Sequence, residues 1–479
     1  MSIPQLIPVT PYRSTNNLDA QAALLDLKDL DFQKSTYREG STVLTFFNCR
    51  IIGLEIRNKE IINYPEVTIF FHDCFISDLK IEEIESKNIS LHFHGSVVSG
   101  KIKSHNLLAA EASNCLSQSL FFTDVPTVRI TYTMENFDND HWQDLFQTLG
   151  IKNIDATIAS PIRYSIINAT RFLCTSNFPD KDRDRFMPEI DLRFSQEGSP
   201  AEVLISSISI PSLMISGNPE GSITLENVRI NSWFIYHFYP KGQVTFHDIE
   251  PISDTAMDVK IGIHRAVLDQ VEFDNVSFDR YPIISFFSTK FSKAIFTSCD
   301  FPENYSTFSN FLPIKNVHYP NDRQKNHDKA QYEIFLSLKK ALDNTGNYYE
   351  SQKMQAISHE ALRRVKGLSC QDKVILCVNN FSNEHGLSVL RPFLGFFLFS
   401  IPLYILYLLS LGRIFNNTDI DWTLFGKFFG FVDITHRNDF LVDKSELTGW
   451  SFFVDYAGKL VVGFFIYQFV ASFRKYGKK

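Results

Sequence analysis

From Leu44 the apolar residues recur on a five-residue rhythm. LTFFN CRIIG LEIRN places Phe46, Ile51 and Ile56 at the centres of three successive pentads. IFFHD CFISD LKIEE does the same with Phe71, Ile76 and Ile81, and LHFHG SVVSG continues with Phe93 and Val98. The first position of a pentad is often small or aliphatic, as at Leu44, Cys49 and Cys74. The fifth is often Asn, Asp or Gly. This is neither the 3.6-residue period of a helix nor the simple alternation of a half-buried strand. Two inward residues in five, followed by a turn-prone polar residue, describe one face of a square coil, with the last position turning the corner. Four such faces give about 20 residues per coil, and coils must stack to bury their centres. The centres Phe46, Phe71 and Phe93 stand 25 and 22 residues apart, so loops are expected at some corners.

The rhythm stops near residue 135. DNDHWQDLFQTLG (Asp138–Gly150) predicts a helix ended by glycine. Residues 138–202 read as a helical or irregular insertion, and the charged run DKDRDR (Asp180–Arg185) reads as a solvated loop. From residue 203 the pentads resume. Their centres are Ile205, Ile210 and Ile215, then Leu225, Ile230 and Ile235, then Phe246, then Phe273, Phe278 and Ile283, then Phe296 and Phe301. The organisation expected is a leader or cap over 1–43, with a short helix at Asn17–Leu30. A first solenoid part over 44–137 and a second over 203–304 flank the insertion.

After Tyr305 the pattern turns helical. Residues 322–386 predict an αα-hairpin broken at Gly346 and a third helix over Gln371–Gly386. Residues 387–479 read as a two-span membrane module. The 21 residues Pro392–Gly412 carry no charge and are bracketed by Arg391 and Arg413. A helix of that length rises about 31 Å, enough to cross a bilayer core. Pro402 should kink it. Trp422, Phe428 and Phe429 belong to an aromatic stretch of about 11 residues, too short to cross, which fits an interfacial or re-entrant helix. A second span begins near Trp450 and contains Asp455 and Lys459, i and i+4 on one face. Either both snorkel to the outer interface, or Asp455 faces a pore or a neighbouring subunit. Arg391, Trp422, Trp450, Arg474 and Lys475 are the expected interface anchors. The basic tail and Arg391 place both termini in the cytoplasm by the positive-inside rule.

Charge and composition narrow the chemistry. The formal net charge is −7, and no basic field points to nucleic acid. Seven cysteines are scattered singly without C-x-x-C spacing, which suits reduced, mostly buried thiols in a cytoplasmic domain. The N-terminus lacks the pattern of a secretory signal. His92 and His94 flank Phe93 and point outward together, but no third metal ligand lies nearby in sequence. His72-Asp73 reads as a pentad corner and His436-Arg437 as an interface anchor. No G-x-S-x-G, H-E-x-x-H or phosphate-binding glycine loop occurs, so neither an enzyme nor a cofactor is expected.

The pentads over 44–110 and 203–303 resemble those of the pentapeptide-repeat proteins, with Leu or Phe at the centre. The resemblance implies a right-handed quadrilateral β-helix. The family prefers Ala at the inward position before the centre; Val, Ile, Leu or Cys stands there in this chain, which implies an irregular coil. Over 323–479, the run RPFLGFF and the ending FRKYGKK resemble the C-terminal module of bacterial membrane proteins with pentapeptide-like repeats and an ion-channel-like region. No T-V-G-Y-G filter sequence is present. The expected fold is mainly β: an irregular right-handed pentapeptide-like β-helix, then an αα-hairpin and a two-helix transmembrane module. The expected protein sits in a bacterial inner membrane with its solenoid in the cytoplasm. Its expected partners are the lipid bilayer, further copies of itself and a protein held on the solenoid. Two roles follow: an oligomeric, ion-conducting effector that senses its partner, or a membrane-anchored scaffold without conductance. Nucleic-acid mimicry, known among pentapeptide-repeat proteins, would need a continuous acidic stripe that this chain lacks.

Overall fold

The computed structural model describes residues 23–26, 36–38, 41–47, 50–51, 54–57, 66–76, 79–82, 89–105, 107–133, 163–180, 183–185, 187–194, 201–253, 259–302, 327–413 and 423–473. The chain divides into two compact units, Met1–His318 and Tyr319–Lys479. The first holds a 24-stranded sheet, and the second holds six α-helices among the described residues.

Pairing in the sheet is parallel among the described strands, except where Thr36–Arg38 folds back on Ser41–Val43. The strands form ladders in which each pairs with the equivalent strand of the next chain passage, so residues far apart in sequence share a row. One row runs Phe46, Phe71, Phe93, Ala112, Ile130, Cys174, Ile205, Leu225, Phe246, Phe273, Phe296. A second runs Ile56, Ile81, Ser104, Phe122, Ile166, Leu192, Ile215, Ile235, Ile263, Phe286. Ile51 pairs with Ile76, and Ile210 with Ile230. Phe278 and Phe301 stack with ring centroids 5.4 Å apart. Phe71 stacks between Phe46 at 5.3 Å and Phe93 at 5.1 Å, and Phe273 on Phe296 at 4.9 Å. Like side chains in register thus bury one another, and the interior of the sheet is a column of such contacts.

Polar residues set the corners. Asp73, Gly95 and Asn114 each follow a strand with φ between 50° and 55°, the left-handed region that Gly, Asn and Asp enter most readily. Each corner amide then donates to the next passage: Asp73 to His94 O at 3.0 Å, Gly95 to Ser113 O at 3.0 Å, Asn114 to Thr131 O at 2.9 Å. The ladder therefore continues around the bend, leaving these backbone donors satisfied.

Three readings of the sequence change here. Residues 138–202 are not a helical or irregular insertion throughout. Arg163–Ile167, Arg171–Ser176 and Glu189–Phe194 are strands of the same parallel ladders. Arg171–Ser176 and Glu189–Phe194 alternate at period 2 and Arg163–Ile167 buries three residues in a row, so none of them carries the pentad that marks the other strands. Within the charged run, Arg183 is buried and donates to Asn227 Oδ1 at 2.9 Å. The helix expected at Asn17–Leu30 is replaced over Ala23–Asp26 by a strand parallel to Leu54–Arg57. The helix expected at Asp138–Gly150 lies outside the described residues.

In the second unit, α1 (His327–Asn344) and α2 (Tyr348–Arg364) pack as an antiparallel pair. The turn between them uses Gly346 at φ 80° and an Asn347 cap that accepts from Glu350 N at 3.2 Å. Helix α3 (Cys370–Asn383) is capped by Ser369. Then Glu384, His385 and Gly386 take φ of 53°, 55° and 95° in succession, a tight left-handed turn into α4 (Leu390–Ser410). Helices α5 (Thr423–Val432) and α6 (Gly449–Ser472) follow.

Candidate functional site

The site grows from the packing of α4, α5 and α6. Glycines let the helices close up. A Cβ on Gly395 would run into the Phe465 ring, and one on Gly458 would stand 2.5 Å from Phe431. Tyr404, Tyr407, Phe428, Phe431 and Val454 fill the shared core. Two hydroxyls finish it: Tyr404 donates to Leu424 O at 2.7 Å and Tyr407 to Asn438 O at 3.4 Å.

Beside this core lies a buried charged cluster. Asp455 is 1% exposed. Its Oδ1 stands 2.6 Å from Nε2 of His436, whose Nδ1 faces the Asp433 carbonyl oxygen. Lys459, one turn along α6, donates to His436 O at 3.1 Å and to Asn438 Oδ1 at 3.0 Å. Its Nζ lies 3.2 Å from Asp455 Oδ2, an ion pair at an angle that leaves Oδ2 without a hydrogen bond. Phe431 and Phe440 wall the imidazole, with ring centroids 6.3 and 4.6 Å away. The 433–440 loop is thereby tied to α6 by charge as well as by packing.

A second polar layer sits toward the other end of α6. The Asn383 side chain donates to Gln468 Oε1, and Gln468 Nε2 donates to Asn379 Oδ1 at 3.2 Å. Ser472 donates to Ser388 O at 2.9 Å. Beside it His385 is buried with neither ring nitrogen hydrogen-bonded, its ring 5.1 Å from that of His359. Burial holds the His385 imidazole down to about 4, with the neighbouring His359 adding to the effect.

The residues singled out from sequence fall in different places. Asp455 is turned inward and paired within its own chain, with Lys459 beside it. Phe428 is buried in the α4–α5–α6 core, whereas Phe429 is 62% exposed. Pro402 lies inside α4 on its exposed side. Arg391 is exposed and donates to Asn380 O at 3.2 Å, and Trp450 is exposed and stacked on Phe453. Trp422, Arg474 and Lys475 lie outside the described residues. His436 is expected from the sequence to anchor at an interface, but the fold makes it the partner of Asp455. The signal was present as THRNDF, a dense polar run between two apolar stretches. What was missing was the loop geometry that folds it back.

In the sheet, His92 Nδ1 meets Glu111 at 3.0 Å and its ring stacks on Phe70 at 4.6 Å. That hydrogen bond holds the Glu111 carboxyl below its ordinary range. Among the described residues no three His, Cys, Asp or Glu side chains converge as a metal site.

No family model matches the chain, and no curated protein or solved structure matches it.

Proposed function

We propose that this chain is an integral membrane protein in which α4 and α6 cross the bilayer and the parallel sheet forms a right-handed, pentapeptide-like β-solenoid in the cytoplasm that binds a protein partner. One observation carries the reading: polarity in α4 and α6 is inverted. Only 28% and 33% of their most apolar stretches are buried, where a core helix of a soluble protein would be mostly covered. Their exposed positions are large and apolar, as at Leu394, Leu398, Leu460 and Val470. The buried positions of α6 include Asp455, Gln468 and Ser472, each paired. A bilayer demands that arrangement, because lipid cannot satisfy a polar group and apolar side chains lose nothing by facing it. The right-handed solenoid is supported by the in-register rows and left-handed corners. The solenoid's stacked faces are the surface offered to a partner, and nucleic acid is not favoured at a net charge of −7.

A second reading adds conductance by an assembly of identical chains. It is favoured by Phe425 and Phe429, left 70% and 62% exposed on a short helix beside a charged cluster. In the first reading the chain is a membrane-anchored scaffold, and in the second it is an oligomeric effector. Both require the spans. Washing membranes that hold the full chain with alkaline carbonate should leave it in the pellet. Release into the supernatant would overturn both readings.

A further inference from the structure

We infer that His436 and Asp455 form a proton-binding site that latches the 433–440 loop to α6. As regulation of the membrane module the inference rests on the reading above; as proton chemistry it rests on the cluster alone. Both ring nitrogens of His436 face oxygen: Nδ1 the Asp433 carbonyl, Nε2 the Asp455 carboxyl at 2.6 Å. A carbonyl can only accept, so Nδ1 carries a proton. The Nε2–Oδ1 contact then needs a second one, because a neutral imidazole has a single N–H and a carboxylate has none. That proton sits on Nε2 as an imidazolium facing a carboxylate, or on Oδ1 as a carboxylic acid donating to the ring. The pair holds the same number of protons either way.

The surrounding groups decide what its loss does. From α6, Lys459 faces Oδ2 at 3.2 Å and also holds His436 O and Asn438. Tyr456 lies beside the Lys459 ammonium, 5.5 Å from ring centroid to nitrogen. From the loop, the Asp433 carboxylate is exposed and takes the Thr435 hydroxyl at 2.7 Å, while Arg437 is exposed next to His436. From α4 comes the Tyr407 hydroxyl, spent on Asn438 O. From α5 comes Phe431, which cannot titrate. Asp455 keeps its charge partner in Lys459 when the shared proton leaves for solvent, so the carboxylate tolerates the loss. The imidazole does not: its one remaining N–H must choose between Asp433 O and Asp455. Either the Nδ1 bond that closes the turn at 433–436 or the Nε2 bond to Asp455 is released, while Lys459 keeps its hold on His436 O and Asn438. The bound proton closes the latch and its departure opens it, with no other bond made or broken.

The test uses the full chain in nanodiscs with nitrogen-15 in its histidines, the His436 signals assigned by their absence in His436→Gln. In the closed form both His436 ring nitrogens are protonated, or Nδ1 is protonated and Nε2 accepts from a protonated Asp455 carboxyl. Raising pH should remove that one proton in a single step. Across the same step the hydrogen-exchange protection factors of the 433–440 amides should fall at least about tenfold, the scale of one lost charge-assisted bond. The step in protection should vanish in His436→Gln and in Asp455→Asn. Protection that stays flat while His436 titrates, or a step unchanged in either variant, would overturn the site. Carbonate extraction separates the two ideas. A chain released by carbonate that still shows the step loses the membrane reading and keeps the proton site. A retained chain without the step does the reverse.

Discussion

Cys74, Ser96 and Cys115 each follow a left-handed corner residue and are buried. Each donates back to the carbonyl two residues earlier, Cys74 to His72 O at 3.1 Å, Ser96 to His94 O at 3.0 Å and Cys115 to Ser113 O at 3.3 Å. Thr289 and Cys299 repeat the contact with Phe287 and Thr297. Cys74, Cys115 and Cys299 are therefore small corner-fillers in places where Ser and Thr also stand, and burial pushes the Cys115 thiol up to about 12. Their isolation was legible in the sequence; the corner that explains it needed the fold. Cys74, Cys115 and Cys174 are buried, whereas Cys370 and Cys377, on the helix at 370–383, are exposed. Histidine shows the reverse case. His264 is 4% exposed and bonded to Ser285 Oγ at 3.0 Å, and burial lowers its imidazole to about 4. The unfolded chain takes up that proton near pH 6.5, the folded one near 4. Stability from a neutral His264 is thus complete above about pH 6.5 and is lost as pH falls toward 4, by up to about 3 kcal/mol. Urea unfolding of the sheet followed by circular dichroism should show this acid loss in the wild type. It should be smaller in His264→Gln; equal slopes would refute the assignment.

At the scale of elements, close approach of neighbouring passages governs what a corner tolerates. A methyl on Gly221 would run into the backbone carbonyl of Ala201, and one on Gly242 into that of Gly221. These obstacles are main chain, which cannot rotate aside. Gly221→Ala should therefore cost about 1–3 kcal/mol, read as a lowered urea midpoint for the sheet. Gly463→Ala in α6, whose new methyl would have Ile434 as its nearest neighbour at 3.9 Å, is the control and should leave the sheet's urea midpoint unchanged. A Gly221 variant as stable as wild type would show that the passages are less tightly stacked than their rows imply. Pentads disclosed the strands around Phe46, Phe71 and Phe93, because apolar centres at fixed phase must meet when passages stack. They could not disclose strands such as Arg171–Ser176, where only the alternation of Phe172 and Cys174 turns inward. The helices from His327 onward were visible because glycines and caps punctuate them. The aromatic stretch at 422–432 was visible too, but not which side of it would be buried.

For the molecule as a whole, the two long helices were legible as apolar length, whereas the His436 tie was not, because it joins a loop to a helix 19 residues later. Two long apolar helices per chain cannot by themselves enclose an aqueous path, so conductance demands association. A ring of four or more chains in detergent, with unitary currents in planar bilayers, is the outcome expected of the effector. A monomer without current leaves the anchored scaffold. Neither outcome bears on the rows of the sheet, which have a consequence of their own. Successive members of one row stand as little as 18 residues apart, from Ala112 to Ile130, and as much as 44, from Ile130 to Cys174, with pairing kept in register. Chain length between successive members of a row is thus decoupled from stacking. A doubling of a corner loop costs only about 0.6 kcal/mol of closure entropy. The corners are accordingly the places where this chain can gain or lose whole segments over evolutionary time while the strands on either side keep their partners.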